Sequence, residues 1–358
     1  MSKKVLYIMN VDWNWIKQRP HYLAEGLSDK FDMKIVFQYR YGRKGFQKRE
    51  LTLDGLTPIY VIPRIDRYRF GCKINVLIKK IYLKKIVKKF KPDIVYLTYP
   101  EQINWIPESY GGRIIYDCMD NYSQFNVNAA KKDDMIAEEK KMCEKASHIL
   151  ASSAYLKELL IKNYGVDKNL IDIVRNGYNG KPAEIKNTVN TDKKMFTMCY
   201  FGTFSDWFDF DFVLKSLNDA EDLEYLFIGP IDGIKIPKHD RIKYIGVVEH
   251  DELPKYTNEA DCFVMPFVLN EVILSVDPVK LYEYINFNKN IICVKYPEIS
   301  RFDRFVHFYD TYDEYIGTVK QLMSDNTLKY DAEERIQFLE KNSWAKRVEV
   351  IQDILERE

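Results

Sequence analysis

The sequence predicts an α/β protein of two successive domains, each built around a parallel sheet. Three observations point there. A length of 358 residues exceeds one small domain and suits two of ordinary size. Short apolar runs alternate with longer amphipathic segments along the whole chain, the pattern of parallel strands joined by crossover helices. That alternation breaks once, in a polar stretch around 175–194, and then restarts.

In the first half, strands are expected at 4–10, 33–39, 58–62, 93–98, 113–118 and 147–151, with a weaker one at 171–174. Helices are expected at 18–29, 73–90, 130–146 and 153–164, the first with Pro20 near its start, where a missing N–H costs little. The break runs from Arg175-Asn-Gly-Tyr-Asn-Gly180 into a series of Asn, Thr, Asp and Lys with no apolar period. Beyond it come strands at 196–201, 224–229, 242–246, 261–266, 290–295 and 305–309. The helices there fall at 209–219, 278–287, 311–323, 331–341 and 343–356. The expected division is an N-terminal Rossmann-like domain over 1–175, a linker over 176–194 and a second Rossmann-like domain over 195–342. The two should face each other across a cleft. In such sheets ligands bind beyond the carboxyl ends of the strands.

Composition narrows the classes. Hydrophobic residues make up 46% and charged residues 30%, so a packed core is expected. The net charge of +1 argues against a polycationic nucleic-acid binder. The 26 Tyr and 20 Phe suit pockets that stack on bases or sugars, although an AT-rich genome would produce the same bias. None of the six cysteines forms a C-x-x-C pair, and they read as small buried hydrophobes in a reducing compartment. The opening Met1-Ser-Lys-Lys and the short run Val5 to Asn10 read as a first strand, not a signal peptide. No apolar run reaches the length of a membrane span.

Chemistry-bearing residues cluster at the expected strand ends of the second half. Gly202 and Thr203 follow its first strand, and Gly229 and Val247 follow the next two. Glycines there let backbone N–H groups approach a phosphate or a base. Pro278 opens a helix bearing Lys280 and Glu283, which share one face: an ammonium suits a diphosphate, and a carboxylate accepts ribose hydroxyls. The plain alternative is an exposed i,i+3 ion pair. Asn270 and Leu281 complete the donor-side candidates.

The ordered segments Gly202-Thr203, Ile228-Gly-Pro230, Tyr244-Ile-Gly246, Ala260 to Phe267, Pro278-Val-Lys-Leu-Tyr-Glu-Tyr284 and Asn290 to Val294 carry a resemblance. So do Trp15-x-x-Gln-Arg-Pro20, Ile115 to Asp120, Val174-Arg-Asn-Gly177 and Asn342 to Arg347. Together they resemble GT-B glycosyltransferases, especially the teichuronic-acid and capsule-type group. The resemblance implies acceptor binding in the first domain and donor binding in the second, with 343–358 crossing back to the first. It places Glu283 on the donor ribose and Lys280 near the diphosphate. Many retaining relatives carry a second glutamate upstream, separated from this one by seven intervening residues; here that position is Ser275, with Glu271 out of register, and this turns the expectation towards inversion. Inversion needs a base for the acceptor hydroxyl. Asp120 is the first choice, with Asp117 and Arg19 supporting, and His21 is the rival base. Asp209-Phe-Asp211 imitates a metal-binding D-x-D but reads as a helix opening, so neither metal nor cofactor is expected.

The segment 64–91 is strongly basic, with an apolar stripe at helical period between its lysines. It reads as an outer helix able to rest on anionic lipid. The expected placement is therefore cytoplasmic and peripheral on the inner membrane face. The expected function is transfer of a sugar from a nucleotide donor, UDP-linked, to a lipid-linked or growing surface glycan. A GT-B-like epimerase and a non-catalytic sugar-binding protein are the rivals.

Overall fold

The computed structural model describes residues 2–39, 53, 55–65, 68–125, 129–183, 193–249 and 252–357, apart from the side chains at 69, 129 and 130. Of the expected linker, 184–192 lie outside these residues. The chain divides into two compact units, one of Met1–Asn176 with Trp344–Glu358 and one of Gly177–Ser343.

In the first unit the strands are β1 (Lys4–Met9), β2 (Asp32–Gln38), β3 (Leu56–Ile59), β4 (Ile94–Leu97), β5 (Arg113–Cys118), β6 (His148–Ala151) and β7 (Ile171–Ile173). All pair in parallel, in the order β3-β2-β1-β4-β5-β6-β7. Their central residues are apolar on both faces because helices cover both, as parallel sheets require. The helices are α1 (Arg19–Ser28), α2 (Arg69–Phe90), α3 (Ala129–Lys145) and α4 (Ala154–Tyr164). Ser153 caps α4 by accepting from the Leu156 N–H.

In the second unit come β8 (Phe196–Phe201), α5 (Phe210–Asp219), β9 (Leu223–Ile228), β10 (Ile242–Gly246), α6 (Leu253–Thr257), β11 (Cys262–Met265), α7 (Glu271–Ser275) and α8 (Val279–Asn286). They are followed by β12 (Asn290–Val294), β13 (His307–Tyr309), α9 (Tyr312–Ser324) and α10 (Ala332–Lys341). The parallel order β10-β9-β8-β11-β12-β13 repeats the topology of the first unit. In each sheet the chain runs outward to one edge and then returns to the other side of its first strand. The crevices therefore open between β1 and β4 and between β8 and β11.

The last helix, α11 (Trp344–Glu356), belongs to the first unit. It buries Trp344, Val348, Ile351, Ile354 and Leu355, each contributing about 1.5–3 kcal/mol. Gly26 of α1 permits the approach: a Cβ there would stand 2.5 Å from Val348. Lys3 and Arg113 donate to the carbonyls of Leu355 at 3.2 and 3.0 Å, supplying charge where the helix dipole favours cations.

The sequence reading misses α6 and α7, which at five residues each show no helical period. It also starts α2 four residues late, at Lys73 instead of Arg69.

Candidate functional site

At the carboxyl edge of the second sheet, β8 and β9 both end in glycines with backbone that side chains rarely adopt, Gly202 at φ +147° and Gly229 at φ +134°. The two are stacked. Gly202 N–H donates to the Ile228 carbonyl at 2.8 Å, and a Cβ on Gly229 would lie 2.1 Å from the Gly202 carbonyl oxygen. Lys280 comes across Gly202 from α8, so that a Cβ on Gly202 would meet its Cε at 1.9 Å. A side chain at Gly202 would force Lys280 aside. Burial lowers the Lys280 pKa, and the nearby Glu283 carboxylate pulls it partly back. A desolvated cation of this kind gains from an arriving anion.

The side chain of α8 that packs inward is set by Tyr284, which stacks on Phe263 at 4.3 Å and accepts from the Phe201 N–H at 3.3 Å. That anchors the helix to the end of β8 and leaves Lys280 and Glu283 on its half-exposed face. Glu283 also lies near Tyr178, whose hydroxyl pKa rises through burial and then through this carboxylate.

Other donor-side candidates divide. Val247 is 71% exposed beyond β10, and Thr203 is half-buried, its carbonyl accepting from Tyr200 at 2.9 Å. Leu281 does not reach the edge with its side chain: it is wholly buried in the core, because the face of α8 opposite Lys280 packs on the sheet. The side-chain oxygen of Asn270 caps α7, accepting from Ile273 N–H at 2.9 Å. Ser275, in the place of the expected first glutamate, is buried and donates to the Val272 carbonyl at 2.7 Å. Asp209 caps α5, accepting from Phe212 N–H at 2.9 Å. Its D-x-D likeness thus has a local structural cause.

The first unit presents a different edge. Arg19, in the first turn of α1, donates to both carboxylate oxygens of Asp117 on β5, from Nε at 3.1 and 3.0 Å and from Nη2 at 2.8 Å. Its Nη1 reaches the Val174 carbonyl at 2.8 Å, and Tyr96 donates to Asp117 at 3.0 Å. Both charged groups are buried. Burial alone would lower the arginine pKa; the adjacent Asp117 outweighs it and the net shift is upward.

Asp120 stands just past β5, half-buried, with its pKa pushed up from 3.8 to about 6. Desolvation is the main cause; Arg19 works against it and Asp117 adds to it. A carboxyl at about 6 is near the ideal for a general base at neutral pH.

His21 is corrected as a rival base. It is wholly buried, its Nδ1 accepts from the Gln18 N–H at 3.2 Å, and its Nε2 faces the carbonyls of Asp12 and Trp13 at 3.3 and 3.2 Å. The ring closes a capping box at the start of α1, so neither nitrogen is presented to a substrate.

On α2 the structure separates the lysines. Lys79 is buried, paired with Glu101 at 3.1 Å and set over the Trp105 ring at 4.4 Å. Lys73, Lys80, Lys84 and Lys88 are exposed along one side, in company with exposed Phe70, Leu77 and Ile81. Arg67 and Asp66 of that segment lie outside the described residues. Among the described residues no helix is long and apolar enough to cross a membrane.

Residues 19–180 match the family described as Glycosyltransferase Family 4. TuaH of Bacillus subtilis (strain 168), named as a teichuronic acid biosynthesis glycosyltransferase, is 19% identical over 240 residues, 60% of this chain and 59% of its own. This chain thus spans about six-tenths of the length of the curated relative it matches. Among solved structures, sucrose-phosphate synthase from Thermosynechococcus elongatus has a TM-score of 0.73 at 13% identity, over 99% of this chain and 98% of the other. HepE of Anabaena in complex with UDP has a TM-score of 0.65 at 11% identity, over 99% of each. The chain therefore has the GT-B fold, and its residues 19–180 match the model of Glycosyltransferase Family 4.

Proposed function

We propose that the protein is a glycosyltransferase that moves a hexose-type sugar from a UDP-sugar to a hydroxyl of a lipid-linked or growing cell-surface glycan, without a metal ion. The observation that carries this is the desolvated Lys280 crossing Gly202 just past β8, a cation held over open glycine backbone where a phosphate could be met. HepE, of the same fold, is solved with UDP and with UDP-glucose, which supports the choice of donor. In this reading Glu283 accepts the ribose hydroxyls, and backbone at Gly229 and Val247 meets the base.

The reaction is a displacement. Asp120 takes the proton of the acceptor hydroxyl as that oxygen bonds to the anomeric carbon. The bond from that carbon to the phosphate oxygen breaks, and its electron pair leaves on the diphosphate. Lys280 offsets the charge that gathers there. Water exclusion protects the donor from hydrolysis.

The exposed Phe70, Leu77 and Ile81 with Lys73, Lys80, Lys84 and Lys88 support a peripheral seat on an anionic, cytoplasmic membrane face. Each lysine near such a surface contributes about 1 kcal/mol.

A thermal-shift series with UDP, GDP, ADP and their glucose conjugates tests the donor reading. UDP compounds should stabilise the wild type and lose most of that effect in Glu283→Ala. If no nucleotide stabilises the wild type, the donor assignment fails. Flotation tests the membrane reading: the protein should rise with phosphatidylglycerol vesicles, and a Lys80→Glu, Lys84→Glu, Lys88→Glu variant should stay behind. Equal flotation of the two would remove it.

A further inference from the structure

The turn Val276–Pro278 leads directly into α8, the helix that carries Lys280 and Glu283. Nothing in that turn is regular enough to set the helix's direction, and Pro278 at its N-cap makes no side-chain cap. Instead the turn is held from outside its own stretch of chain. Asp277 has a fully buried side chain, and Arg301 grips it through Nη2. Arg301 lies in the short 3₁₀ helix Pro297–Phe302 that follows β12. The same Nη2 donates to the hydroxyl of Tyr282 on α8 at 2.7 Å, so one guanidinium holds the turn and the helix together.

Arg301 is itself fixed. Its Nη1 donates to the Glu298 carbonyl at 2.8 Å, with a Glu298 carboxylate oxygen 3.9 Å away, and its plane lies over the Phe302 ring at 4.1 Å. Tyr296, at the head of the same short helix, donates to the Val276 carbonyl at 3.3 Å. Burial opposes the charge on Arg301, and Asp277 more than restores it, so the guanidinium pKa is raised. A planar fork meeting a carboxylate and a phenol fixes orientation as well as position, which a lysine would not do. The far end of α8 is held too: Arg335 of α10 donates to the Asn286 carbonyl at 2.8 Å.

We infer that Arg301 is a positioning residue for nucleotide binding, acting through Asp277 and Tyr282 to set the phase of α8 and so carry the Lys280 ammonium over Gly202. The Lys280 Cε lies 1.9 Å from where a Cβ on Gly202 would stand, so the place of the ammonium over this edge follows the orientation of α8. About 20° of rotation at the radius of a side chain moves its tip by more than an ångström, enough to lose a directed phosphate contact. The inference rests on the reading of Lys280 as a phosphate-binding group.

A double-mutant cycle on UDP affinity, measured by calorimetry, tests it. Lys280→Ala should weaken UDP at least tenfold. Arg301→Ala and Asp277→Asn should weaken it by a similar factor in protein that still melts cooperatively, and Arg301→Lys should recover only part. In a background of Lys280→Ala with Glu283→Ala, Arg301→Ala should then have almost no further effect, because the groups that α8 carries to the nucleotide are gone. Additive losses would assign Arg301 to general stability and overturn the inference, as would a folded Arg301→Ala that binds UDP like the wild type. If Lys280→Ala itself binds UDP undiminished, the reading of Lys280 fails as well. Should Arg301→Ala not fold, Arg301→Lys and Asp277→Asn complete the same cycle.

Discussion

The two sheets share one topology, yet their carboxyl edges are in opposite electrostatic conditions. At the first edge the strong charges already have partners. Arg19 and Asp117 satisfy each other in a buried fork, and the His21 ring is bound to backbone at both nitrogens. Asp120 there has a carboxyl whose pKa is pushed up to about 6. At the second edge the backbone is opened by two glycines at positive φ, and a lysine is desolvated across the first of them. The contrast teaches where to look for chemistry in a doubly wound protein. A buried charge with a complete set of partners is spent on structure; a desolvated charge beside an opened backbone is where we propose a ligand binds.

The comparison breaks most easily at Asp120. Asp120→Asn should lower the transfer rate by about 10²–10⁴, the range for losing a general base, while UDP affinity is kept. In the wild type kcat/KM should rise with pH through about 6, since the base works ionised. The sign for stability is opposite. A carboxyl whose folded pKa is raised favours the fold in its protonated form, so its contribution is complete below about 3.8 and lost as pH rises through about 6. Asn carries no such charge. Asp120→Asn should therefore melt higher than wild type at pH 7.5, by roughly 1–2 kcal/mol after discounting its partial exposure, and the gain should vanish near pH 4. A variant that keeps its turnover moves the base elsewhere.

Asp117→Ala should come next, costing about 3–5 kcal/mol in chemical denaturation because it strands the buried Arg19. If the loss is below about 1 kcal/mol, the pair is not the structural one described above. The smallest effect is expected at Gly202→Ala. Its positive φ costs about 1–3 kcal/mol, and the new Cβ displaces Lys280, so UDP affinity should fall about tenfold. Retained affinity would show that the lysine does not act through that path.

Much of this was legible beforehand, and the reason is local physics. The helix at 209–219 is found as α5, with Asp209 capping it, because a cap and a helical period need only neighbouring residues. Lys280 and Glu283 were readable as one face of one helix for the same reason. His21 was misread because its partners at Asp12 and Trp13 are fixed by the fold of a loop that leaves no periodic trace. Leu281 was misread because proximity in sequence to Lys280 says nothing of which face turns inward. The basic run on α2 gave a correct total of lysines and a wrong environment for Lys79, whose partner Glu101 is 22 residues away.

By itself, then, the sequence determined the two α/β units, the alternation of their strands and helices and the residues at the strand ends. Apolar periodicity and turn chemistry act over a few residues and survive any later packing. Only the tertiary structure decided which charges are paired. Arg19 meets Asp117 across 98 residues, and Lys280 of α8 crosses the glycine that follows β8. Burial and partnership depend on groups that the chain brings together from afar, and these set the energy of a charge.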